Sequence, residues 1–210
     1  AKAPIEPEVL LETLEAFTAP EVAQQIHRDL AATSIPLAVP MRTLLEVLAK
    51  RVALPEGHFG ALLRHVIAAY GVSQTTIVRD VVEAYVARRD AVLPLVGVRL
   101  DEMLSNYVQQ HVFAYWYTQA PDLGIYIRGI IVRIAFLRFL VFAHPDVHAL
   151  KEAKGATPSD ATPTIERALV EVVSKMTRDI DHHASFVALL DRVLPAAMPG
   201  LEHALTLLKL

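Results

Sequence analysis

The stretch SKMTRDIDHHASFVALL, residues 174–190, crowds Arg178, Asp179, Asp181, His182 and His183 into six positions before turning apolar. Those residue types offer three chemistries. Carboxylates and imidazoles ligate metals. An imidazole beside a carboxylate takes or gives a proton near neutral pH. An arginine, an acid and a histidine on one helical face also tie two helices together by hydrogen bonds. Helical spacing sorts these readings. Arg178 and His182 are four apart and Asp181 is three after Arg178, so the three share a face. Asp179, Asp181 and His183 do not converge, so the spacing predicts no metal site.

Other segments carry chemistry of their own. HPDVH places His144 and His148 one turn apart, but two ligands do not make a zinc site, and exposure by chance explains the pair. HVFAYWYTQ gathers Phe113, Tyr115, Trp116 and Tyr117, either a core cluster or the rim of a ligand pocket. AAYGVSQTTIVRDVVEAY has the turn and small polar residues of a DNA-reading helix-turn-helix at about residues 60–80. Its only early base is Arg79, followed by Asp80 and Glu83, which disfavours phosphate contact. Nucleic acid is therefore not the expected partner, and an ordinary helix–turn–helix corner with a Gly stop at Gly71 and a Ser cap at Ser73 is expected there. GHFG is too short for a phosphate loop and follows no strand.

Composition narrows the chemistry further. The 210 residues contain no cysteine, which excludes disulfides, thiolate nucleophiles and cysteine-ligated clusters within this chain. A net charge of -3 gives no electrostatic reason to expect nucleic acid or an acidic membrane surface. At 53% hydrophobic residues the chain can bury a substantial core and disorder is not expected. The opening AKAPIEPEV has neither a basic–apolar leader nor an initiating Met, as a processed chain or an excised fragment would.

The elements that must position these groups all read as helices. Apolar residues recur at helical spacing, prolines and glycines punctuate them, and no strand alternation appears. The expected fold is all-α, an irregular bundle of about eight to ten helices around a central apolar helix. It forms a single domain, with N-terminal helices over 1–96 and a C-terminal helical part over 97–210. Expected elements include a helix from about Gln74 to Leu93, a stop at Pro94 and Gly97, an apolar helix from about Leu123 to Ala143, and a helix capped by Thr164. The apolar helix is long enough to cross a bilayer, yet it carries Arg128, Arg133 and Arg138 at steps of five. Five residues turn a helix by about 140°, so the guanidinium groups point three ways, each costing roughly 2.5–3.5 kcal/mol at a bilayer centre. No membrane span is expected.

Two segments taken together resemble a known family. LSNYVQQHVFAYWYTQAPDLGIYIRGIIVRIAFLRFLVFAH is similar to the C-terminal half of bacterial flagellin lysine-N-methylases. There an Asn-Tyr pair opens a helix ending in aromatics, and a loop and a long apolar helix follow; here the pair is Asn106-Tyr107. The family then has a helix with an Arg, an acidic or amide residue, and a His four positions on. TIERALVEVVSKMTRDIDHHASFVALLDRVL matches this with Arg178, Asp181 and His182. The likeness runs from Leu104 to Leu194 and rests on the order of its parts, since no single element is a strong motif. It implies catalytic roles for His182, Asp181 and Arg178 and substrate contacts from Asn106, Tyr107, Tyr115 and Trp116. It also implies flagellin as protein substrate, in the cytoplasm. The chain departs from the family in lacking the cysteine-rich N-terminal half and any recognisable S-adenosylmethionine loop. S-adenosylmethionine and a metal or iron–sulfur centre are thus implied only for a full-length relative. This chain would position the substrate or complete an active site built with the cysteine-rich half. A DNA-binding regulator and a structural helical interaction protein are the rival readings.

Overall fold

Helix signals dominate the chain, and the computed structural model shows what they build over residues 19–32, 36–49, 58–73, 77–114, 123–152, 157–178 and 204–210. Among the described residues every regular element is helical. There are seven α-helices, α1 (Pro20–Ala32), α2 (Ala38–Ala49), α3 (His58–Ala69), α4 (Val78–Ala114), α5 (Leu123–Phe142), α6 (Pro145–Glu152) and α7 (Pro158–Met176), and a 3-10 turn at Thr206–Lys209. None of these helices is long and apolar enough to cross a membrane.

The chain divides into two units, Ala1–Pro36 and Leu37–Leu210. The first contains α1, whose surface carries hydrogen bonds from Gln25 to Asp29 (2.7 Å) and from Arg28 to Gln25 (2.8 Å). The second holds the hydrophobic core, to which all the other helices contribute.

Three helices dominate that core. α4 buries Val81, Tyr85, Val92, Val96, Leu100, Leu104 and His111, a stripe in steps of four and seven that keeps one face inward. α5 buries ten residues between Gly129 and Phe142, on most of its circumference towards its C-terminal end. α7 buries Ala161, Ile165, Ala168, Leu169, Val172 and Met176 and leaves the opposite face to solvent. These three helices contact one another pairwise. Across α4 and α7, Arg99 bridges Glu102 (2.9 Å) and Glu166 (2.7 Å), and both carboxylates raise its pKa, Glu102 first.

Helix ends follow local chemistry. α3 stops at Gly71, whose φ of 64° is accessible without a Cβ clash. The Gly71 N–H donates to the Ala68 carbonyl (3.0 Å) and the Val72 N–H to that of Ile67 (2.9 Å), the paired bonds of a Schellman stop. α7 opens on a capping box: Thr157 Oγ1 accepts from the Asp160 N–H, and the Asp160 carboxylate accepts from the Thr157 N–H. Donation from the Thr157 hydroxyl (2.6 Å), and then from the Thr157 N–H, holds the Asp160 carboxyl below the usual range.

Several expectations are corrected. Pro94 and Gly97 do not end a helix; both lie inside α4, which begins at Val78 instead of near Gln74. Proline cannot donate to the carbonyl four residues earlier, here Asp90, but Asp90 is on the exposed face where water can serve it. A Cβ on Gly97 would meet only Leu93 at ordinary van der Waals distance, so that glycine marks no special backbone. Thr164 is not a cap, because α7 starts ahead of it at Pro158, with Pro163 also inside the helix. Phe113 is not core: it is 79% exposed. His144 is not exposed by chance either, being 4% exposed.

Candidate functional site

The α5–α6 corner explains the burial of His144. It precedes Pro145 at the first position of α6, where proline is well tolerated. Its Nδ1 accepts a hydrogen bond from the Asp146 N–H (3.3 Å), so the imidazole acts as the cap that a Ser or Asp would otherwise provide. An Nδ1 that accepts leaves the proton of the neutral ring on Nε2. Nε2 lies 3.5 Å from Oε2 of Glu171 on α7.

Glu171 has a second partner. Its Oε1 accepts from the Lys175 ammonium, one turn further along α7. That bond, opposed by burial and aided by the Lys175 charge and by His144, holds the Glu171 carboxyl below the usual carboxylate range. His144, Glu171 and Lys175 thus form a chain running from a buried corner to the surface.

Lys175 opens onto a cleft of about 230 Å³ lined by Glu171, Ser174, Lys175 and Arg178, the stripe that residues three, four and seven apart make on a helix. Arg178 lies in a π turn just past the end of α7 and is exposed. Among the described residues its guanidinium has no ion-pair or hydrogen-bond partner. From its described residues the cleft offers two cations and a hydroxyl, with one carboxylate behind them.

Of the residues expected at a site, Arg178 lies in this cleft. Asn106 is exposed on α4. Tyr107 belongs to a separate aromatic column, its ring stacked on His111 (5.9 Å, 26°), which stacks in turn on Tyr126 of α5 (6.4 Å, 18°). Burial pushes the Tyr126 hydroxyl pKa up and Arg133 opposes it. Asp181, His182, Tyr115 and Trp116 lie outside the described residues, as do Asp179, His183 and Tyr117. Sequence reasoning missed His144, Glu171 and Lys175. Glu171 and Lys175 stand four apart, a visible signal, but nothing local couples that pair to His144.

No three His, Asp or Glu side chains among the described residues gather as metal ligands. With no cysteine, the chain supplies no thiolate to ligate a metal or an iron–sulfur cluster.

The chain was compared with protein-family models, curated proteins and solved structures, and matches none of them.

Proposed function

We propose that this chain is the protein-binding helical domain of a lysine-N-methylase-like enzyme. It holds a flagellin-type substrate in the cytoplasm and completes an active site whose cysteine-rich half is carried elsewhere. The observation that supports this is the packing of the three segments that bear the resemblance. The Asn106–Tyr107 part lies on α4, the apolar segment is α5, the Arg178 segment ends α7, and these helices contact one another pairwise. In this reading α5 is the central helix of the bundle, and Asn106 and Arg178, both exposed, are available to a substrate. The chain's own residues bind and orient; the methyl donor and any metal centre belong to the other half.

The DNA-binding alternative has less behind it. Arg79 is flanked by Asp80 (3.9 Å) and Glu83 (3.5 Å). Arg88 donates to the Ala69 carbonyl (2.9 Å) and lies over the Tyr70 ring (5.7 Å). Acidic neighbours thus offset the charge of Arg79, and Arg88 is engaged.

Two measurements test the proposal. The intact gene product should encode, or be made beside, a cysteine-rich half. Mixed with that half, a methyl donor and flagellin, the chain should raise methyl-lysine by mass spectrometry. No methyl-lysine above the level without the chain, and no flagellin retained on it, would overturn the reading.

A further inference from the structure

The cleft at the end of α7 carries an inference that rests on the protein-binding reading and sharpens it. We propose that Ser174, Lys175 and Arg178 form a seat for a single carboxylate, an aspartate or glutamate side chain of the bound protein.

The volume comes first. About 230 Å³ is below the usual range of a small-molecule pocket and suits the end of one side chain. The charge comes second. Among the described residues of the lining, Lys175 and Arg178 contribute two positive charges and Glu171 one negative, a balance of one positive charge that a carboxylate neutralises. The seat lies at the C-terminal end of α7, where the helix dipole favours Lys175 and Arg178 and opposes any anion, a dianion more than a carboxylate.

Pre-organisation comes third. Lysine loses much rotamer freedom when it binds, and here that freedom is already restricted. Lys175 is held by Glu171, Glu171 faces the buried His144, and His144 is held by the Asp146 N–H. The ammonium is thus fixed before a ligand arrives. Arg178 is in the opposite condition. Like the exposed Arg42, Arg64 and Arg167, it has neither a carboxylate nor a carbonyl among the described residues, and it differs from them in lining the cleft beside Lys175. Its planar fork suits two parallel hydrogen bonds to one carboxylate, with Lys175 adding a point charge and Ser174 a hydroxyl. His144 is a positioning residue here; it touches Glu171 and not the ligand.

The test is a titration of the full, 15N-labelled chain at low salt, followed by amide shifts. The probes are the peptide acetyl-Ala-Glu-Ala-amide, its Gln counterpart and inorganic phosphate. The Glu peptide should shift the amides of Ser174, Lys175 and Arg178 saturably, and the Gln peptide should not. Arg178→Gln should weaken binding about tenfold or more, the size expected of one hydrogen bond to a charged group. His144→Asn keeps an Asx cap for Asp146 but is too short to reach Glu171, so it should weaken the same binding by a smaller factor with an unchanged fold. Any of three results would overturn the seat: no saturation by about 20 mM peptide, saturation by phosphate but not by the Glu peptide, or Arg178→Gln binding as the parent does. Flagellin methylation intact beside a failed titration would remove the seat and leave the docking domain. Peptide binding without flagellin recognition would remove the methylase reading and leave the seat.

Discussion

Two regions of the second unit use arginine in opposite ways. At the aromatic centre, Tyr70, Tyr85, Phe139 and Phe142 pack with ring centroids 4.4–6.1 Å apart. Three arginines border this node and all are engaged. Arg88 donates to the Ala69 carbonyl. Arg89 lies over the Tyr85 ring and reaches the Lys209 carbonyl (3.4 Å). Arg138 bonds Asp101 (2.6 Å) and the Leu208 carbonyl (3.3 Å). At the end of α7 Arg178 is exposed and unengaged among the described residues. The lesson is that an arginine whose guanidinium is already engaged at a core offers a ligand less than an exposed one beside a cleft. Arginines bordering a core complete backbone hydrogen bonds and let aromatic rings pack beside charge.

The sharpest way to break the contrast is Phe139→Ala. Phe139 is fully buried and touches both tyrosines, so the change should cost about 3–5 kcal/mol in urea unfolding. A loss below about 1 kcal/mol would mean that the node is not the structural centre.

The next test separates two buried hydroxyls. Tyr70 donates to the Phe139 carbonyl (2.9 Å), while the Tyr85 hydroxyl is buried with no hydrogen-bond partner among the described residues. Tyr70→Phe should destabilise by about 1 kcal/mol, and Tyr85→Phe should be neutral or stabilising because it removes an unsatisfied group. Burial is the first cause that raises both hydroxyl pKa values, and nearby arginines oppose it. The folded state therefore keeps these protons after the unfolded chain, titrating near pH 10, has released them. Stability should be unaffected below that pH and should fall as pH rises beyond it, because the unfolded state then binds fewer protons. Urea midpoints taken across that range, with tyrosinate absorbance, check the sign; Tyr85→Phe should reduce the fall.

The smallest effect belongs to the open region. Arg178→Gln should change stability by less than about 0.5 kcal/mol, and Arg138→Gln should cost about 1 kcal/mol more than that. Equal costs in thermal unfolding would erase the distinction between an engaged and a waiting arginine.

The helical class was legible because apolar spacing is a local signal. The Gly71 stop and the Leu123–Phe142 helix were legible for the same reason. Proline misled. Pro94 read as a breaker, yet the carbonyl it leaves unserved, on Asp90, belongs to an exposed residue. Whether a proline breaks a helix depends on that exposure, which local sequence does not state. Arg178 was legible by residue type. His144 was not, because its burial depends on α7 bringing Glu171 to the α5–α6 corner, a tertiary event with no trace in HPDVH. Phe113 fails in the opposite sense, an aromatic by type but exposed because α4 turns that face outward.

The clasp on the 3-10 turn at Thr206–Lys209 has a consequence in time. Arg138 and Arg89 take carbonyls 70 and 120 residues further along the chain, and Leu207 and Leu210 are buried in the same core. Contacts of such separation close late and slow folding. During synthesis, at roughly 5–20 residues per second, Arg89 waits roughly 6–24 s for its acceptor. Through that interval the nascent chain shows the ribosome's surroundings an apolar core still missing its final plug, the stage at which a chaperone would find most to hold.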